Sequence, residues 1–80
     1  MVKMLLKRKD RFGGISYITI EDTTKENCNQ QVNEMNYYGD LSEIQARFYV
    51  MATQQNGIWY DNNDEKLDNE FIKTCLKKIT

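Results

Sequence analysis

At 80 residues, with a net charge of −1, 40% hydrophobic residues and nine aromatics, the chain is sized for one small domain, residues 1–80, and is too apolar for wholesale disorder. The near-neutral balance argues against a general polyanion binder and against a strongly acidic mimic of DNA. Histidine and proline are absent and Cys28 and Cys75 form no CxxC pair, so there is no imidazole base, no usual zinc donor set and no Ser–His arrangement.

Val2 to Lys9 and Ile15 to Glu21 read as two strands, the second alternating Ile18 and Ile20 with Tyr17 and Thr19. Gly13-Gly14 in the link suits an antiparallel hairpin. Thr23 with Glu26 has the form of a capping box, and Cys28, Val32 and Met35 follow at helical spacing, which predicts a helix over 24–38 with Gly39 as its stop. Asn27, Asn29, Asn33 and Asn36 are poor helix formers, so a third strand or a long loop is the alternative for that segment.

Residues 38–60 carry the fullest set of signals. Asp40 and Glu43 form a second capping box, Leu41, Ile44, Phe48, Met51 and Ala52 recur at spacings of three and four, and Asn56-Gly57 offers a left-handed stop. A central helix over 41–55 is therefore expected. Asp61-Asn62-Asn63-Asp64 is a turn, after which Leu67, Phe71, Ile72, Cys75, Leu76 and Ile79 mark a terminal helix with Lys73, Lys77 and Lys78 outside and late. The expectation is an α+β domain: an N-terminal two-stranded hairpin followed by two or three helices packed on one face.

Charge is distributed unevenly. Residues 1–12 have a local charge of +4, residues 13–65 of −7 and residues 66–80 of +2. A basic run interrupts the N-terminal apolar residues, and no stretch approaches the roughly 18 apolar residues of a membrane span. Two unpaired cysteines suit a reducing compartment, so a cytoplasmic setting without membrane contact is expected, and both thiols fit core positions better than redox ones.

No constellation suggests catalysis or a resident cofactor. Asp61–Glu65 begins like a calcium loop, but Lys66 stands where glycine is needed and Ile72 where a bidentate glutamate is needed. A turn is the plainer reading, and no metal site is expected.

Two surfaces remain. Tyr37 and Tyr38 precede the expected central helix and Trp59 and Tyr60 follow it, beside Asp61, Asp64 and Glu65. Trp and Tyr dominate interface hot spots, so these residues suggest a face for a basic protein partner, although Trp59 could equally close the end of a small core. Lys7, Arg8, Lys9, Arg11 and Phe12 form a basic hairpin with one aromatic, the combination used on single-stranded nucleic acid.

The expected function is a small non-enzymatic protein-binding module, monomeric or homodimeric. Abundant Lys, Asn and Ile, which have A/T-rich codons, suggest a phage- or mobile-element-encoded inhibitor of a host protein. Single-stranded nucleic-acid binding through the hairpin is the alternative, followed by a structural subunit of a virion or complex.

Overall fold

In the computed structural model, which describes residues 1–79, the chain runs β1 (Val2–Lys9), β2 (Ile15–Asp22), α1 (Lys25–Leu41), β3 (Arg47–Gln55), β4 (Ile58–Tyr60) and α2 (Asn69–Leu76). The strands form one four-stranded antiparallel sheet in the order β2-β1-β3-β4. The α+β class and the N-terminal hairpin agree with the expectation from sequence.

The expected central helix is instead a strand. Arg47–Gln55 pairs with β1 along its length, and Asn56 and Gly57 both have positive φ, 52° and 79°. That combination turns the chain into β4 as a tight hairpin, the strongest role an Asn-Gly pair has. Helical spacing misleads here because the register shifts between Leu5 and Leu6: Leu5 faces Ala52, Leu6 faces Val50, and Met51 is the extra residue of a β-bulge. A bulge resets the two-residue alternation, so the apolar positions of β3 imitate a helical stripe.

α1 is longer than expected. Its N-cap is Thr24, whose side chain accepts from Asn27 N–H, rather than Thr23. The helix passes through Gly39 and ends at Leu41, where Ser42 N–H and Oγ both donate to the Gly39 carbonyl. Asp40 is thus a residue of the last turn and pairs with Arg47 at 2.7 Å, and the Asp40–Glu43 capping box is not formed.

Two asparagines that weaken the helix have other work. Asn27 donates from its side chain to Asp22 and Thr23. Asn36 brackets the backbone of Phe48, accepting from its N–H at 2.7 Å and donating to its carbonyl at 3.1 Å.

The helices lie on opposite faces of the sheet, not on one. Successive side chains of a strand alternate between faces, and Met4-Leu5-Leu6, all fully buried, serve both. Met4 and Leu6 join Cys28 and Val32 of α1, with Ile18, Ile20, Met35, Phe48 and Val50 packed alongside. Leu5 joins Ala52, Trp59, Ile72 and Cys75 under α2, with Tyr17, Met51, Leu67 and Ile79 alongside. The uninterrupted apolar run Met4-Leu5-Leu6 is the sequence signature of this two-sided burial.

Beyond β4, Asp61 Oδ1 accepts from Asn63 N–H and Glu65 N–H, and the Asn62 amide donates to the Val50 carbonyl. This covers part of β3 that the three-residue β4 leaves unpaired. Asp68 caps α2, whose Ile72 and Cys75 are buried while Phe71 and Leu76 are partly exposed.

Candidate interaction surfaces

The aromatic and acidic residues expected to form one face are divided. Trp59 is only 8% exposed and packs in the core under α2. Tyr60, next in the strand, points to the other face and is half-buried. Tyr37 and Tyr38 lie near the C-terminal end of α1, 63% and 68% exposed, with their rings edge-on at 5.3 Å.

Asp61, Asp64 and Glu65 are at the other end of that helix. Asp64 pairs with Lys25 in the first turn of α1 at 3.6 Å. Twelve residues of helix, about 18 Å at 1.5 Å per residue, separate Lys25 from Tyr37. Asp61 is occupied with its own turn, and Asp64 has φ of 62°, so the oxygen-rich loop is held together by backbone N–H groups. Among the described residues there is no group of three or more His, Cys, Asp or Glu side chains placed to share a metal ion.

What does assemble near Tyr38 is a groove of about 500 Å³ between the last half of α1, the start of β3, the tip end of the β1–β2 hairpin and the loop 42–46. Its floor is Met35, Phe48, Ala46 and Gly39, and its walls include Tyr38, Ile44, Arg8 and Glu34. Gly39 is required there: a Cβ at this position would sit 2.1 Å from the Ala46 carbonyl oxygen. The loop is tied to the hairpin tip by Arg11 N–H donating to the Ile44 carbonyl at 3.1 Å. Tyr37 and Tyr38 stand four and three residues before the exposed Leu41, so the three share one side of the helix.

The basic hairpin is also divided by strand alternation. Arg8 faces α1 and lies 3.8 Å from Asp10. Lys7 and Lys9 face the other way, where they border a shallow depression of about 350 Å³ with Tyr49 and Met51. Arg11 and Phe12 occupy the tip, the guanidinium 4.9 Å from the centre of the Phe12 ring.

Among the described residues three ionisations are displaced. Asp22 is held below the ordinary carboxylate range, first by the Thr23 N–H it accepts at 2.6 Å and then by the Gln31 amide at 2.8 Å. Burial pushes the Cys28 thiol up, aided by the charge of Asp22, and the thiol donates to the Val2 carbonyl. Hydrogen bonding to Asp40 raises Arg47. Each displacement comes with a structural contact between elements, and none marks a reactive group in a cleft.

Sequence reasoning missed Tyr49 and the groove residue Phe48 because it placed 41–55 on a helix. The signal that locates them is Asn56-Gly57 taken as a hairpin, which puts Phe48 and Tyr49 on opposite faces of a strand. No helix of the described residues is long and apolar enough to cross a membrane. The chain matches no family model, no curated protein and no solved structure among those compared.

Proposed function

We propose that the protein is a non-enzymatic binding module that takes a basic, apolar-anchored segment of another protein into the groove beside α1. The observation that carries this reading is the groove itself, apolar at its floor and continued outward by Tyr37, Tyr38 and Leu41, which the fold leaves exposed. Rigid tyrosines around an apolar pocket give large contact area at small entropic cost.

Charge complementarity argues for a basic partner. α1 contributes Glu26, Glu34 and Asp40 against Lys25, and Glu43 follows it. Glu34 and Glu43 have no ion pair among the described residues, whereas Arg8, the cation of the groove, already has Asp10. A lysine or arginine flanking an apolar anchor would meet those two carboxylates. An inhibitor of a host protein is the role that suits so small a module without evident catalytic groups.

The test is cross-linking of captured partners followed by binding with the purified protein. Tyr38→Ala and Ile44→Ser should each weaken binding of a partner recovered by the wild type about tenfold or more, as interface anchors do when truncated. Cross-links should map to α1 and the loop 42–46. Equal binding by the variants, or cross-links confined to the α2 side, would refute the groove as the binding site.

A further inference from the structure

Beside the part of the sheet that α2 covers lies an ordered basic and aromatic array, with Tyr17 at the border packed against the core under α2. Lys7 is paired with Tyr17 on β2 and with Tyr49 on β3, while Lys9 is paired with Ile15 and Arg47. Directly opposed residues share a face, so two rows cross three strands: Tyr17-Lys7-Tyr49 and Ile15-Lys9-Arg47. With strands about 4.8 Å apart, the two tyrosines stand roughly 10 Å from each other on either side of one lysine. Tyr49 is 48% exposed.

The C-terminal basic segment converges on the same place. Lys78 lies 5.8 Å from the centre of the Tyr17 ring, so the positive ends of the sequence, far apart along the chain, meet here. Among the described residues acids leave the lysines of the array unpaired: Asp40 pairs with Arg47 at its edge, Asp10 pairs with Arg8 of the other face, Glu21 pairs with Lys3 further along the sheet, and Asp68 and Glu70 lie at the start of α2. Most remaining carboxylates belong to α1, on the opposite face, and to the loop at its start. A chain of net charge −1 therefore has one locally cationic surface.

We infer that this open sheet face binds single-stranded nucleic acid, with Tyr49 stacking on a base and Lys7, Lys9 and Lys78 contacting phosphates. The occupant follows from the array's own chemistry. Aromatic rings set among cations on a shallow surface fit unpaired bases with their phosphates, whereas a duplex offers no base face. Stacking and phosphate contact do not use the sugar, so RNA and DNA should bind alike. This site is independent of the groove, which lies across the sheet, and the two stand or fall separately.

The experiment is fluorescence anisotropy of the full chain with labelled oligouridine and oligothymidine of about 15 nucleotides, a length within the range one small domain occupies, beside a blunt duplex. Three phosphate contacts predict a drop in affinity of about twentyfold between roughly 50 and 200 mM salt. Tyr49→Ala should weaken both single strands about 5- to 150-fold, while Tyr49→Phe keeps binding within a few-fold. The double variant Lys7→Gln, Lys9→Gln should reduce affinity and flatten the salt dependence, and it leaves the core untouched should Tyr49→Ala fold poorly. Tyr38→Ala, on the other face, should change nothing. Absence of binding at the lower salt, preference for the duplex, or full affinity in the Lys7, Lys9 variant would overturn the inference.

Discussion

Replacing Gly39 with alanine sets two opposite effects against each other, and the structure decides the sign. Alanine favours a helix over glycine by about 1 kcal/mol, so at an exposed position of α1 the change would stabilise. At Gly39 the new methyl would lie 2.1 Å from the Ala46 carbonyl oxygen, a backbone atom that cannot rotate aside. Relieving the overlap requires α1 and the start of β3 to separate by roughly 1 Å, which is overpacking of the kind that costs about 1–3 kcal/mol. The same separation stretches the two hydrogen bonds between Asn36 and the Phe48 backbone, each worth about 1 kcal/mol. The expected net is a loss of about 2 kcal/mol, from a total of about 4–12 kcal/mol for a chain of this length. Urea unfolding followed by circular dichroism measures it directly, and the melting temperature should fall by about 8–16 °C. Adding Asn36→Ala to Gly39→Ala should then cost less than Asn36→Ala alone, because the bonds are already weakened. A variant as stable as wild type, or more so, would refute the close helix–strand contact.

Trp59→Ala should destabilise the domain by about 3–5 kcal/mol, as expected for a buried aromatic, and urea unfolding would contradict its core placement if the loss were under about 1 kcal/mol. Gly57→Ala should lose about 1–2 kcal/mol from backbone strain alone, since φ is 79° and a Cβ there would meet no atom within 4 Å; a neutral result would count against the hairpin turn. Asp22 is more acidic in the folded than in the unfolded chain, so its contribution is present above the ordinary value near 3.9 and is lost as pH falls through the lower, folded value. Asp22→Asn should therefore be less stable than wild type at pH about 6, with the gap closing towards pH about 2, in unfolding midpoints measured across that range; a constant gap would contradict the assignment.

The N-terminal hairpin and the terminal helix were legible because their local signals and their tertiary roles coincide. Ile18 and Ile20 alternate with residues of the other face, and Ile72 and Cys75 lie on the stripe that meets the sheet. Residues 41–55 were not, and the reason is specific. The bulge at Met51 puts Met51 and Ala52 on one face, so a count of two no longer fits and counts of three and four do. Asp40 and Glu43 strengthened the error, since the local form of a capping box carries no information about whether a helix is ending or beginning there. Trp59 and Tyr60 were mislocated for the same cause: once 47–55 is a strand, they form the fourth strand of the sheet rather than a helix terminus.

The two proposed surfaces trace to one property of β1. Because Met4, Leu5 and Leu6 are apolar without interruption, both faces of the sheet need a cover, and the chain supplies one helix to each. The covers differ in length, 17 residues in α1 and 8 in α2, so one face is roofed along its extent and the other only in part. They differ in charge as well, α1 bearing mostly acids and the end of α2 lysines. A long acidic helix that overhangs its face leaves tyrosines and a groove at its far end. A short helix that underfills its face and is followed by Lys77 and Lys78 leaves Tyr49 exposed beside Lys7. Lengthening α2 by a turn would cover the second surface without touching the first, which is why the two bindings should be separable by mutation in one folded protein.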